Sequence, residues 1–97
     1  MKTMTVQIGN TDDKLTQVEW SKFVMEVDDL LLPDNYNNRL NRHFFGAATN
    51  YMPWQNACWV VATDDLTIKY ITSMLTSIRK KYKQDSVAVT IGETIFV

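Results

Sequence analysis

Asn56-Ala57-Cys58-Trp59-Val60-Val61-Ala62 is apolar at nearly every position, on odd and even residues alike. A strand with one wet face alternates apolar and polar side chains, so a run without alternation reads as a central strand buried on both faces. Outward from it, the chain reads as strands and helices in turn. Residues 5–8 alternate polar and apolar and stop at Gly9, a short first strand. Thr16 stands three residues before Glu19, the spacing of a reciprocal helix cap, and Trp20, Phe23, Val24, Val27 and Leu31 follow at helical intervals, so the first helix covers residues 17–32.

Pro33 and the cluster Asp34-Asn35-Tyr36-Asn37-Asn38 end that helix in a turn, and residues 40–45 form a second strand that stops at Gly46. Beyond the central strand, Asp64 or Asp65 caps a second helix carrying Ile68, Ile71, Leu75, Ile78 and Tyr82 on one stripe. Residues 87–91 are β-branched and alternating. Gly92-Glu93 suits a tight turn after which residues 94–97 fold back as a C-terminal hairpin. The fold class is therefore α+β, a ferredoxin-like βαββαβ sandwich with an antiparallel sheet and two helices on one face. In that topology the first and third strands are central. The connections after strand one, between strands two and three, and after helix two then share one end.

A length of 97 residues supplies one core, so residues 1–97 form a single domain. Ten basic against eleven acidic residues give a formal charge of −1, and no long-range field draws in a nucleic acid backbone. The basic group Arg79, Lys80, Lys81 and Lys83 falls at a helix C-terminus, where it complements the helix dipole. Cys58 is the only cysteine, which excludes an intrachain disulfide and reads as a small buried hydrophobe. With one histidine besides, neither a metal nor a cofactor is expected. No apolar run reaches membrane-spanning length and no leader-like stretch follows Met1, which points to a cytoplasmic protein without a membrane partner.

The three shared-end loops hold the candidate site. The first offers Asn10, Asp12, Asp13 and Lys14, a mixed charge set suited to hydroxyls, a cation or a basic partner; the alternating oxygens and distal Glu of a calcium loop are missing. A solvated Asx-type turn explains the same residues. The second, Pro53-Trp54-Gln55-Asn56 with Tyr51 nearby, sets an aromatic face beside two amides, a surface for a nucleobase or a peptide. Equally, Trp54 can fold back over the sheet end while the amides serve the loop backbone. The third, Gln84-Asp85-Ser86, joins a helix to a strand, where such residues bond local amides. His43 becomes a general base only if it faces the same cleft. No phosphate-binding glycine loop, nucleophilic triad or paired catalytic carboxylates emerges.

The stretches Ile8-Gly9-Asn10-Thr11-Asp12-Asp13-Lys14-Leu15-Thr16-Gln17 with Glu19-Trp20, Pro53-Trp54-Gln55-Asn56-Ala57-Cys58-Trp59, and Gln84-Asp85-Ser86-Val87-Ala88 resemble small uncharacterised bacteriophage proteins. That resemblance implies a phage origin and transfers no catalytic residue. It favours recognition over turnover: a non-enzymatic accessory binding module, anti-defence or host-modulating, which forms a homo-oligomer and captures a nucleotide-like ligand or a host protein in the bacterial cytosol. One alternative is a small enzyme of the dimeric α+β barrel type, with His43, Asn56 and Trp59 lining a cavity. Another is a structural or assembly protein whose copies pair through the sheet face or through the terminal strand, residues 94–97.

Overall fold

The computed structural model describes residues 1–10, 14–48 and 55–97. Its elements are β1 (Lys2–Gly9), α1 (Gln17–Leu30), a single 3-10 turn at Pro33–Tyr36, β2 (Asn41–Ala48), β3 (Asn56–Thr63), α2 (Asp65–Lys81) and β4 (Ala88–Glu93). They form one antiparallel sheet in the order β2-β3-β1-β4, so the apolar run at β3 and the strand at β1 are central. This is the βαββαβ arrangement expected of the sequence.

Both helices cover the same face. Met4, Val6 and Ile8 of β1 and Ala57, Trp59 and Val61 of β3 meet Trp20, Phe23 and Val27 of α1 and Ile68, Ile71 and Leu75 of α2 in one buried cluster. Helix starts behave as their caps dictate: Thr16 accepts from the Glu19 amide while Glu19 reaches back to the Thr16 amide, and Asp64 accepts from the Thr67 amide.

The structure departs from the sequence reading at several places, and strand β1 for one begins at Lys2 rather than at residue 5. Helix α1 stops at Leu30, and Pro33 opens a 3-10 turn closed by Asn37 and Asn38 at positive φ, where asparagine tolerates the left-handed region. Strand β2 does not stop at Gly46 but runs through it. Gly46 is small because the ring of Phe44 lies across it: a Cβ there would sit 2.6 Å from Phe44 Cζ. The C-terminal hairpin is absent. Gly92 and Glu93 stay in the ladder opposite Thr3 and Lys2, Gly92 has no positive φ, and residues 94–97 form no strand. Finally, Cys58 is half-exposed, because β3 is covered by helices on one face only.

Candidate functional site

Asn10 follows the last residue of β1 and is completely buried. Its Nδ2 donates to the Leu15 carbonyl (3.1 Å) and to Gln55 Oε1 (3.0 Å), and its Oδ1 accepts from the Leu15 amide (3.0 Å). One side chain thereby closes the first loop at both ends. The Asn10 amide also donates to the Gln55 carbonyl at 2.9 Å. Gln55, 1% exposed, lies immediately before β3 and exchanges amide hydrogen bonds with Gln17 of α1, receiving at 3.1 Å and donating at 2.7 Å. Burial of such amides is tolerated only when their hydrogen bonds are met, and here the partners come from three separate segments.

The first and second loops thus meet through Asn10 and Gln55. The first and third meet through Lys14, whose Nζ lies 3.5 Å from Asp85 Oδ2, an exposed pair of long geometry. The shared loop end is real among the described residues. Its chemistry differs from the sequence reading, however. Asn10 and Gln55 are not ligand-facing groups; their polar atoms are spent on one another, on Leu15 and on Gln17. Gln84 is likewise engaged locally, its side chain donating to the Tyr82 carbonyl and its amide to the Arg79 carbonyl, while Arg79 Nη1 returns a bond to the Gln84 carbonyl at 3.0 Å. Lys14 and Asp85 remain exposed, and Asn56 opens β3 on the sheet face away from the helices. Asp12, Asp13 and Trp54 lie outside the described residues.

Beside the Asn10–Gln55–Gln17 clasp, Gln17, Trp20, Ser21, Val24, Met25 and Gln55 line a shallow hollow of about 290 Å³. Met25 and Val18 on this helix are exposed apolar side chains, and the buried Trp20 Nε1 has no hydrogen-bond partner. On the other side of the end, Glu26 of α1 holds Lys81 Nζ at 2.8 Å and accepts from the Tyr82 hydroxyl. Burial first, and that carboxylate second, push the Tyr82 phenol up to about 12.

The fold is ferredoxin-like. The chain resembles a dimeric ferredoxin-like protein of unknown function from Thermobifida fusca (TM-score 0.62, 10% identity, 97% of this chain and 92% of that one). It also resembles a dimeric protein of unknown function with a ferredoxin-like fold from Bacteroides fragilis (0.60, 11%, 96% of both chains). A phage SAM lyase in its apo state matches more loosely (0.50, 15%, 95% of this chain and 79% of that one). At such identities the likeness concerns the chain path alone. No protein-family model matches the chain, and no curated protein does.

Of the groups assigned to one enzyme cavity between sheet and helices, Trp59 and Asn56 lie on opposite faces of β3. Trp59 is fully buried on the helix side, where its Nε1 donates to Asp28 Oδ1 at 2.9 Å. The same oxygen accepts from Arg42 Nη1 at 2.8 Å, while Arg42 Nη2 donates to the Asp28 carbonyl. His43 is exposed on the half of β2 remote from the loop end, beside the irregular register between Arg42 and Phe44. It does not serve the loop cleft. Sequence reading missed Gln17, Asp28 and Arg42 because the partners of each lie 14 to 38 residues away, with no local spacing to betray them. Among the described residues no helix is long and apolar enough to cross a membrane.

Proposed function

We propose that the protein is a non-enzymatic binding module, a phage-type accessory factor of anti-defence or host-modulating kind. Its three-loop end takes a nucleotide-like ligand or a host protein in the bacterial cytoplasm. The observation that carries this reading is the buried Asn10–Gln55–Gln17 clasp. Asn10 precedes the segment with Asp12 and Asp13, and Gln55 follows the segment with Trp54, so both candidate loops spring from fixed points against α1. Fixing the roots of recognition loops lowers the ordering cost of binding. The adjoining hollow is apolar at Val24 and Met25, with the Gln17 and Gln55 amides bonded to each other at its edge, a lining that suits the face of a flat heterocycle. Lys14, exposed and in a long ion pair with Asp85, lies at the same end, where a phosphate or an acidic group would compete with that carboxylate.

Self-association belongs to the same proposal, since two proteins that share the fold are described as dimeric. The phage SAM lyase makes SAM, an adenosine joined to methionine, the first small molecule to try. Native mass spectrometry of gently purified protein, with and without added SAM, tests the reading. A retained or added nucleotide-sized mass that is lost in Trp54→Ala supports ligand capture. A stoichiometric host polypeptide lost in the same variant supports protein capture. Conversion of SAM to products would overturn the non-enzymatic reading, and wild-type protein that binds neither class would overturn the loop-end site.

A further inference from the structure

The face of the sheet turned away from the helices is free of formal charge. The four strands contain three such charges, Lys2, Arg42 and Glu93, and all lie on the helix side. Lys2 pairs with Asp65 of α2, Arg42 with Asp28 of α1, and Glu93 stands opposite Lys2. On the other side, one row across the sheet reads Phe44, Val60, Thr5, Thr90, with Cys58 in the next row, and the uncharged amides Gln7, Asn41 and Asn56 lie towards the ends of the same face. Phe44 is 54% exposed, its ring lying over Gly46. An antiparallel sheet that faces water on one side normally carries polar and charged residues there. Depletion of charge around an exposed aromatic is instead the composition of an interface core.

We infer that this face packs against the same face of a second copy, with residues 95–97 of each chain extending the contact. The inference rests on the proposed self-association and names its surface. A two-fold contact brings the same patch from each copy together, so any net charge on the patch meets its own kind; a neutral face avoids that repulsion. Area argues for the tail. Strand spacing of about 4.8 Å and a rise of about 3.3 Å per residue give the sheet face on the order of 450 Å², short of the roughly 800 Å² per partner that a specific interface buries. The Thr94 hydroxyl meets that of Thr3, an open-face residue, so the chain leaves β4 at the rim of this face. Beyond it Ile95 and Phe96 are 82% and 83% exposed, and Val97 is fully so. Laid over a partner's sheet, large side chains of this kind add on the order of 100–200 Å² each, which closes the shortfall.

The test is the mass in solution, by sedimentation equilibrium at about 1 to 100 µM, the span over which a micromolar dimer assembles. Wild type is expected to be a dimer at the upper end. Val60→Lys plants a charge in the centre of the face and is expected to raise the dissociation constant at least about 100-fold, since an unpaired buried charge is strongly unfavourable. Thr90→Lys, exposed on the edge strand, does the same if the first variant fails to fold; circular dichroism reports folding for both. Alkylation of Cys58 should slow as wild-type concentration rises and lose that dependence in the folded variant. A wild type that stays monomeric overturns self-association and the interface together. A dimer that persists in a folded lysine variant, with Cys58 still open to alkylation, overturns this face while leaving self-association standing.

Discussion

The two faces of the sheet solve opposite problems. Under the helices, β3 presents Ala57, Trp59 and Val61, all buried, and the strand cations Lys2 and Arg42 pair with carboxylates from α2 and α1. On the outer face β3 presents Asn56, Cys58, Val60 and Ala62 among threonines, the amides Gln7 and Asn41, small residues and one aromatic, none of them formally charged. The helix side carries charge where a helix supplies the counter-charge, as for Lys2 and Arg42, and Glu93 stands exposed in register with Lys2. The outer side avoids charge, although water would solvate it. That asymmetry separates residues that hold the monomer together from residues kept compatible with a second surface.

Trp59→Ala should give the largest break. It removes the largest fully buried side chain and the indole donor to Asp28, and should cost about 3–5 kcal/mol in urea unfolding, enough to unfold a marginal domain. A loss no greater than that of Val60→Ala at high dilution would end the distinction between faces. Gln55→Ala comes next. It strips the buried Asn10 amide of a partner and should cost about 1–3 kcal/mol by the same measurement. An unchanged midpoint would mean that water replaces the clasp and that the loop roots are not fixed by it.

Thr16→Ala should cost about 1 kcal/mol through loss of the α1 cap. The same cap and its counterpart on α2 give a pH signature. The backbone hydrogen bond at Thr16 holds the Glu19 carboxyl below its ordinary 4.5, and that from Thr67 holds Asp64 below its ordinary 3.8. Both folded values lie under the unfolded ones, so the stabilisation is complete above about pH 4.5 and fades as pH falls through the folded values. Thermal midpoints from pH 6 down to pH 2 should decline in that window, and less steeply in Glu19→Gln. The smallest effect belongs to the outer face: Thr5→Ala, measured at high dilution, should change unfolding free energy by no more than about 0.5 kcal/mol. A larger loss would make that face part of the monomer's own core.

Much of the fold was legible because its signals are local. Thr16 and Glu19 announce the start of α1 at a spacing of three, Asp64 does the same for α2, and the β3 run marks the centre of the sheet. The errors fell where a distant contact overrode a local cue. Gly46 looked like a strand end but makes room for Phe44, and Gly92-Glu93 looked like a turn but is held extended by β1. The site was legible in outline only. Its three segments do converge, as Asn10–Gln55 and Lys14–Asp85 show, yet sequence could not say that Asn10 and Gln55 point at each other rather than outward.

What the sequence determined by itself is the order, type and approximate bounds of the elements, and through them the βαββαβ class and the end at which the loops gather. Periodicity and capping act within a few residues, so they can be read without the fold. Only tertiary structure decided which polar residues are spent inside and which remain for a partner. That depends on which side chains from remote segments arrive within about 3 Å of each other, because a buried amide or charge is stable only where such a partner is found.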